Sequence, residues 1–344
     1  QLLSHFSSTH LRIWIQPMNV PAEDATRVSV EPLRAFLIDL FTKVPISDAH
    51  AELVADLLID TDLRGVVSHG VMQVERYVRG WRQGTCNRSP EIEVLKEGPA
   101  TAALNGDGGL GYIVATHAMQ MAIERAEAIG VGIVTTTYHD HIGSAGKYVR
   151  MALRKGLIGV GLSGRNAAPS YSKDATIAGS IQGSPPFCVG MPSGPGSPPF
   201  LLDMATKLSW DEEMFAKMPE AYLKSIGISH VANILSGTLG GQMQPRFDRD
   251  KIEFSGANQS AFFMALQIDR FVDPAAFLGD MDHLMSEVGQ MQPLPGFEQS
   301  ELPGGPEWRR EKAFREEGIP LHPEAQEQLE VLAAEFGVGV PWGD

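Results

Sequence analysis

Gly106-Asp107-Gly108-Gly109-Leu110-Gly111 joins a strand pattern at Thr101–Leu104 to a long helical pattern at Gly111–Gly130. The spacing is GxGxxG. In a Rossmann unit such glycines let the backbone approach a pyrophosphate at a helix N-terminus. An acid then ends the next strand about twenty residues later. Here the next strand is the β-branched run Val131–Tyr138, and it ends Thr137-Tyr138-His139 with no acid at that offset. The stretch is therefore read as a glycine-rich turn, with a phosphate loop as the competing reading. A Rossmann fold is set aside, but an α/β layer is not. A helix at Ser144–Lys155 and a strand at Leu157–Ser163 continue the strand–helix–strand alternation.

Upstream, Val30–Gly65 reads as two helices broken at Val44-Pro45, with Ser47 as the N-cap of the second. Val71–Arg82 reads as a third helix. Residues 1–27, with Pro17 and Pro21, read as an extension ahead of the folded unit. Downstream, Ala167–Pro199 is a loop region rich in Gly, Pro and Ser that holds a strand at Phe187–Gly190. Strands are expected at Phe200–Met204 and Ala261–Ile268. Helices are expected at Lys224–Gly237, Asp280–Gln290, Pro306–Gly318 and Ala325–Gly337.

The 344 residues are enough for two subdomains, and 43% hydrophobic with 20% charged residues is ordinary for a globular protein. The net charge of −14 argues against a nucleic-acid or anionic-membrane partner, while leaving room for a local basic pocket. Cys86 and Cys188 form no CxxC pair, which argues against a disulfide framework and for a reducing, cytoplasmic setting. No apolar run has membrane-spanning length, and no signal-peptide pattern opens the chain.

Tyr138-His139-Asp140-His141-Ile142-Gly143-Ser144-Ala145-Gly146 closes a strand and opens a helix. Polar clusters at strand ends are where α/β proteins place chemistry, and a histidine there can move a proton near neutral pH. The competing readings are a helix-capping loop and a metal site. A His-x-His pair on an extended segment points both rings the same way, although spacing identifies no third ligand. Ser68-His69-Gly70, just past the second helix, reads either as a cap with a surface histidine or as part of a site. Asp203, ending an apolar strand, reads as a cap or as a functional carboxylate.

Taken together, Asp62–Tyr77 with its Ser68-His69-Gly70, the 138–146 stretch, Asp203-Met204-Ala205-Thr206, Lys224-Ser225-Ile226-Gly227 and Leu302–Arg310 resemble the malate/L-lactate dehydrogenases of the sulfolactate dehydrogenase type. The resemblance runs from about Val28 to about Val338. It implies a mixed α/β sheet core (96–299) with a helical domain from both chain ends (28–95 joined by 300–344), not a Rossmann fold. It implies a homodimer that uses NAD or NADP on a small-molecule carbonyl or imine substrate. By the same resemblance His141 is the acid/base, and Ser68 and His69, backed by Asp203, orient the reacting group. Gln73 and Tyr77 line the substrate pocket. Arg165, Asp203, Met204, Ala205, Lys224 and Ser225 meet the cofactor. No metal is implied.

Three departures bear on this expectation. Gln73 stands where the family carries an arginine that grips the substrate carboxylate, which points to a substrate other than a simple 2-oxo acid. Pro185, in Gly183-Ser184-Pro185-Pro186, replaces an amide residue and lacks a backbone donor. Lys207–Leu223 is much shorter than the family's segment. These losses sustain a second expectation, a diverged member without redox activity, serving as a binding subunit or in non-redox acid/base chemistry.

Overall fold

Pro45 and Ser47 end one helix and start the next, as their chemistry requires. Pro45 supplies no amide to continue the first helix, and the Ser47 hydroxyl accepts the His50 amide at 3.2 Å. The computed structural model describes residues 25–165, 172–181, 183–248 and 250–343. The expected extension at 1–27 lies outside them except for its last residues. In chain order the elements begin β1 (Thr26–Val28), α1 (Val30–Thr42), α2 (Asp48–Asp62), α3 (Val74–Gln83), β2 (Glu93–Glu97) and β3 (Thr101–Asn105). They continue α4 (Gly111–Ile129), β4 (Val131–His139), α5 (Gly146–Leu153), β5 (Ile158–Arg165), β6 (Pro186–Met191) and β7 (Phe200–Ala205). The rest are α6 (Glu212–Lys217), α7 (Pro219–Asn233), β8 (Gln259–Leu266), α8 (Pro274–Gly289), α9 (Gly305–Glu317), β9 (Ile319–Leu321) and α10 (Pro323–Phe336).

Among the described residues seven strands form one sheet in the order β2-β3-β4-β8-β5-β6-β7. Only β3 and β4 run parallel, so this is a mixed sheet and not a doubly wound one. Its core packs Ala115, Ala118, Met119 and Ala122 of α4 and Tyr148, Val149 and Ala152 of α5 against Val134, Ala261 and Phe263. A second core joins the two ends of the chain. Leu33, Leu37 and Leu40, Val54 and Leu58, and Tyr77 and Trp81 repeat at helical spacing, and they pack with Phe314, Leu329 and Leu332. The short β1–β9 pair, with Val28 opposite Ile319, fastens the same lobe.

Several boundaries differ from the sequence expectation. Helix α3 begins at Val74, after tight 3-10 turns at Val67–His69 and Val71–Gln73. Strand β2 was not anticipated, because Glu93, Lys96 and Glu97 give it a charged edge rather than an apolar alternation. It also carries 93–95 into the sheet. Helix α7 opens at Pro219, so Lys224 lies in its second turn and not at its start.

The close approach of α4 to β4 depends on Gly132. A Cβ there would lie 1.9 Å from the Ala122 carbonyl oxygen. Gly132→Ala must push a helix off its sheet, and it should lower unfolding stability by about 3 kcal/mol. Urea denaturation monitored by tryptophan fluorescence tests this; a loss under about 0.5 kcal/mol would show that the layers separate easily.

Candidate active site

The glycine-rich loop is filled by the protein itself. Gly108 has a φ of 71°, and a Cβ on it would meet the Phe254 ring at 2.2 Å. A Cβ on Gly109 would meet Pro90 at 2.6 Å. The Asp107 carboxylate takes the Asn87 side-chain amide and the Glu91 amide. The loop is thus a clasp around the start of α4 with no cradle for a phosphate. A substitution at Gly108 reads stability rather than affinity.

The chemistry gathers instead where the α2–α3 turn of the helical lobe meets the C-terminal end of β4. Asp62, at the end of α2, is enclosed. It accepts the Val71 amide at 2.8 Å, and a Cβ on Gly70 would fall 1.8 Å from its Oδ1. Only glycine fits beside that carboxyl, which explains the Ser68-His69-Gly70 sequence. Burial pushes the Asp62 carboxyl up to about 7, against the pull of the Val71 amide and Lys147. The turn presents His69, whose Nδ1 lies 2.8 Å from Ser68 Oγ.

Across from it stands His141, with ring centroids 5.4 Å apart. Its Nδ1 is 2.9 Å from the hydroxyl of Tyr77, which is buried beneath the site and does not line it. His139 behaves differently. The β4–β8 register shifts between Thr136 and His139, and Tyr138 takes a left-handed φ of 56°. The extended geometry expected for His-x-His is therefore broken. His139 is wholly buried, with Nδ1 2.7 Å from the Asp140 carbonyl and Nε2 2.9 Å from Thr136 Oγ1, while His141 faces the cavity. Among the described residues no group of three or more His, Cys, Asp or Glu is placed to hold a metal ion.

The neutral burial of His139 has a measurable cost. Burial pushes its imidazole down to about 4, whereas an unfolded histidine titrates near ~6.5. Between those values the unfolded chain binds more protons. The stabilisation is complete above the unfolded value and is lost as pH falls toward the folded one. The loss is roughly 3 kcal/mol. Urea midpoints should fall between about pH 7 and about pH 4.5, more steeply for wild type than for His139→Asn. Parallel falls would mean that His139 contributes nothing to acid sensitivity.

Two residues outside the sequence expectation complete this side. Arg76 Nη2 donates to Asp140 Oδ1 at 2.7 Å, and the same oxygen accepts the His141 amide at 2.7 Å. Arg76 lines the cavity and is half exposed, while Asp140 behind it is buried. Gln73 does not line the cavity. Its side-chain amide turns back to the Ser68 carbonyl at 2.9 Å and braces the turn. Arg76 lies three residues after Gln73, in the first turn of α3. That spacing was the available signal.

The opposite wall comes from β5, β6 and β7. Arg165, Pro185, Asp203, Met204 and Ala205 all line the cavity, whose volume is about 500 Å³. The Asp203 carboxylate is open to the cavity but otherwise enclosed. It accepts the Gly146 amide at 2.8 Å rather than a bond from His69. Enclosure pushes this carboxyl up, opposed by that amide and by Arg150. The Pro185 carbonyl takes both the amide and the hydroxyl of Thr206, tying β7 to this wall. Two expected cofactor residues lie apart. Lys224 is exposed and pairs with Glu220. Ser225 is buried, donates to the Thr206 carbonyl at 2.6 Å, and borders a separate cavity with Lys207 and Trp210.

Burial and the neighbouring cations Arg76 and Lys147 both push His141 well below the ordinary histidine range, and His69 is lowered in the same way. Both rings are neutral near pH 7, in a cavity lined by two guanidinium groups, Arg76 and Arg165, and by the Asp203 carboxyl. Such a site can exchange a proton at His141 and hold an anion at Arg76.

A model of the malate/L-lactate dehydrogenase family matches residues 28–210 and 211–330, and the break falls within Lys207–Leu223. The chain is 30% identical to a malate dehydrogenase of Pyrococcus abyssi, over 92% of this chain and 96% of that protein. It is 27% identical to an L-sulfolactate dehydrogenase of Methanocaldococcus jannaschii, over 89% and 96%. Its fold matches the malate dehydrogenase structure from Pyrococcus horikoshii OT3 with a TM-score of 0.78 at 30% identity, covering 93% and 98%.

Proposed function

From the premise that the chain belongs to the malate/L-lactate dehydrogenase family and is a dehydrogenase, we propose that it uses NADH or NADPH to interconvert a small carboxylate-bearing hydroxy acid and its oxo form, with cyclic imines as the neighbouring substrate class. One observation carries this reading. His141, held by Tyr77, and Arg76, held by Asp140, face the same cavity.

The lining suits a nicotinamide dinucleotide in its chemistry. Arg165 offers a cation for a phosphate, and Met204, Ala205 and Pro185 offer an apolar ledge for a ring. When bound, that group supplies or accepts the hydride. The chain does the rest. His141 Nε2, the nitrogen left free by Tyr77, takes the hydroxyl proton in oxidation and returns it in reduction. His69, steadied by Ser68, hydrogen-bonds the reacting oxygen. Arg76 holds the substrate carboxylate in place of the arginine that Gln73 lacks. Asp203 fixes the start of α5 against β7 and so sets the ledge.

A cytoplasmic homodimer completes the proposal. Cys86 and Cys188 are free and buried. Leu223, Val231, Ile234 and Leu239 form an exposed apolar row suited to a second copy.

Separate titrations with NADH and NADPH, followed by nicotinamide fluorescence, test the reading. Enhanced emission with one of them is expected at micromolar concentrations, with Arg165→Ala weakening it by roughly tenfold or more. No response to either at millimolar concentration would overturn the cofactor assignment.

A further inference from the structure

Gln259 begins β8, the strand that lies between β4 and β5 in the sheet. Its backbone registers with His139 on one side and with Arg165 on the other. The β4 side leads on to His141 and to Arg76 on Asp140. The β5 side carries Arg165. Neighbouring strands stand ~5 Å apart, so Gln259 begins its strand midway between the two cationic ends of the cavity. Its side chain lines that cavity together with Ser144 and Ser163. The floor between the two guanidinium groups is therefore polar but uncharged.

The carboxamide is loosely held. Ser163 Oγ lies 3.5 Å from Gln259 Oε1, but the Ser163 hydroxyl has one proton and gives it to the Ser260 carbonyl at 2.9 Å. Among the described residues the Gln259 side chain has no closer partner. It is half-buried. A ligand that fills the cavity strips water from this amide, and the lost hydrogen bonds return only if the ligand supplies them.

The reacting carbon of a 2-hydroxy acid carries four groups. In the dehydrogenase reading, on which this inference rests, His141 and His69 take the hydroxyl and Arg76 the carboxylate. The nicotinamide, on the ledge of Pro185, Met204 and Ala205, takes the hydrogen. One substituent remains. With the β4 end and the β6–β7 wall occupied, it points to the β8–β5 floor, where Gln259 has hydrogen-bonding capacity to spare. We propose that Gln259 is the specificity-determining residue for this fourth group, and that the group is neutral and hydrogen-bonding: a hydroxyl or carboxamide on the carbon beside the reacting one. An alkyl group there leaves the Gln259 amide desolvated and unpaired. A second carboxylate finds a neutral amide, because Arg165 serves the cofactor phosphate.

Hydroxypyruvate and 2-oxobutyrate, which differ by a hydroxyl in place of a methyl, suit the test. With the reduced nucleotide that binds, wild type should favour hydroxypyruvate by roughly 10- to 100-fold in kcat/KM. In Gln259→Leu the two should come within about threefold of each other through loss on hydroxypyruvate, while the nucleotide Kd read by nicotinamide fluorescence stays within about threefold of wild type. A wild type indifferent to the pair, or a preference that survives in folded Gln259→Leu, would overturn the proposal. So would a nucleotide Kd that rises by about tenfold or more in the variant, which gives Gln259 to the cofactor. Oxaloacetate outpacing hydroxypyruvate would also overturn it, by placing a second carboxylate on the floor. If the variant does not fold, the wild-type preference alone decides. In a protein without turnover, calorimetry with glycerate and 2-hydroxybutyrate makes the same comparison. Glycerate bound roughly tenfold more tightly by wild type, and not by Gln259→Leu, supports the role of Gln259 and removes the dehydrogenase reading. Equal binding, or binding of neither, overturns the proposal.

Discussion

Replacing His141 with alanine lowers kcat by roughly 10²–10⁴, the range for a lost general acid/base. Cofactor affinity changes little, because Arg165, Met204 and Ala205 line a different wall. The loss falls on turnover because the ring is neutral, faces the cavity and is oriented from below by Tyr77. His139→Ala is the control. That ring is sealed between Thr136 and the Asp140 carbonyl, so its removal lowers stability by a few kcal/mol while leaving kcat of the folded fraction within about tenfold. Steady-state and single-turnover rates for both variants, with folding checked by circular dichroism, give the comparison. Equal losses of kcat in well-folded samples would remove His141 from the special position given to it.

Arg76→Gln lowers kcat/KM for a carboxylate substrate by roughly 30- to 300-fold, the lower part of the ~2–5 kcal/mol range for truncating one partner of a charged contact. The lower part applies because Arg76 remains half exposed. Two effects combine. The substrate loses a cation, and Asp140 keeps a buried carboxyl whose charge partner has gone. Burial already pushes that carboxyl up, and Arg76 is the main restraint on it. Gln73→Ala should cost less, about threefold, since Gln73 only braces the Ser68 carbonyl. An uncharged ketone should lose clearly less than a 2-oxo acid in Arg76→Gln, because it feels only the effect that passes through Asp140. If that ketone suffers as much as a 2-oxo acid, Arg76 acts through the position of His141 and not through substrate charge. If Gln73→Ala is the more damaging change, the carboxylate lies nearer Gln73 than Arg76.

The helices were legible where local chemistry decides them. Pro45 and Ser47 mark a boundary whatever the rest of the chain does. The glycines at 106–111 could be freed from the dinucleotide reading by a missing acid, and Phe254 and Pro90 supply the packing reason. Strand β2 was hidden because an edge strand with charges has no apolar alternation to read. The difference between His139 and His141 depends on the Tyr138 backbone and the register against β8, a partner 120 residues away, which no local pattern encodes. Arg76 with Asp140 spans 64 residues, and the contact forms only where the helical lobe meets the end of β4. Of the residues that the family likeness assigns to the cofactor, Arg165 and 203–205 line the cavity, whereas Lys224 is exposed and pairs with Glu220.

Strand β1 pairs with β9, and α1–α3 share their core with Leu329 and Leu332. The lobe bearing Ser68, His69, Arg76 and Tyr77 therefore cannot finish folding while the chain is still being made. The ribosome releases α1–α3 hundreds of residues before their packing partners, and at ordinary elongation rates of ~5–20 residues per second that gap lasts tens of seconds. Over that interval the sheet strands through β8 have already emerged and can pair. The order of assembly is thus set by the direction of translation. His141 can be in place early, and the turn that faces it arrives last. A nascent chain stopped before Ile319 would hold His141 on its strand end without the packed turn that faces it.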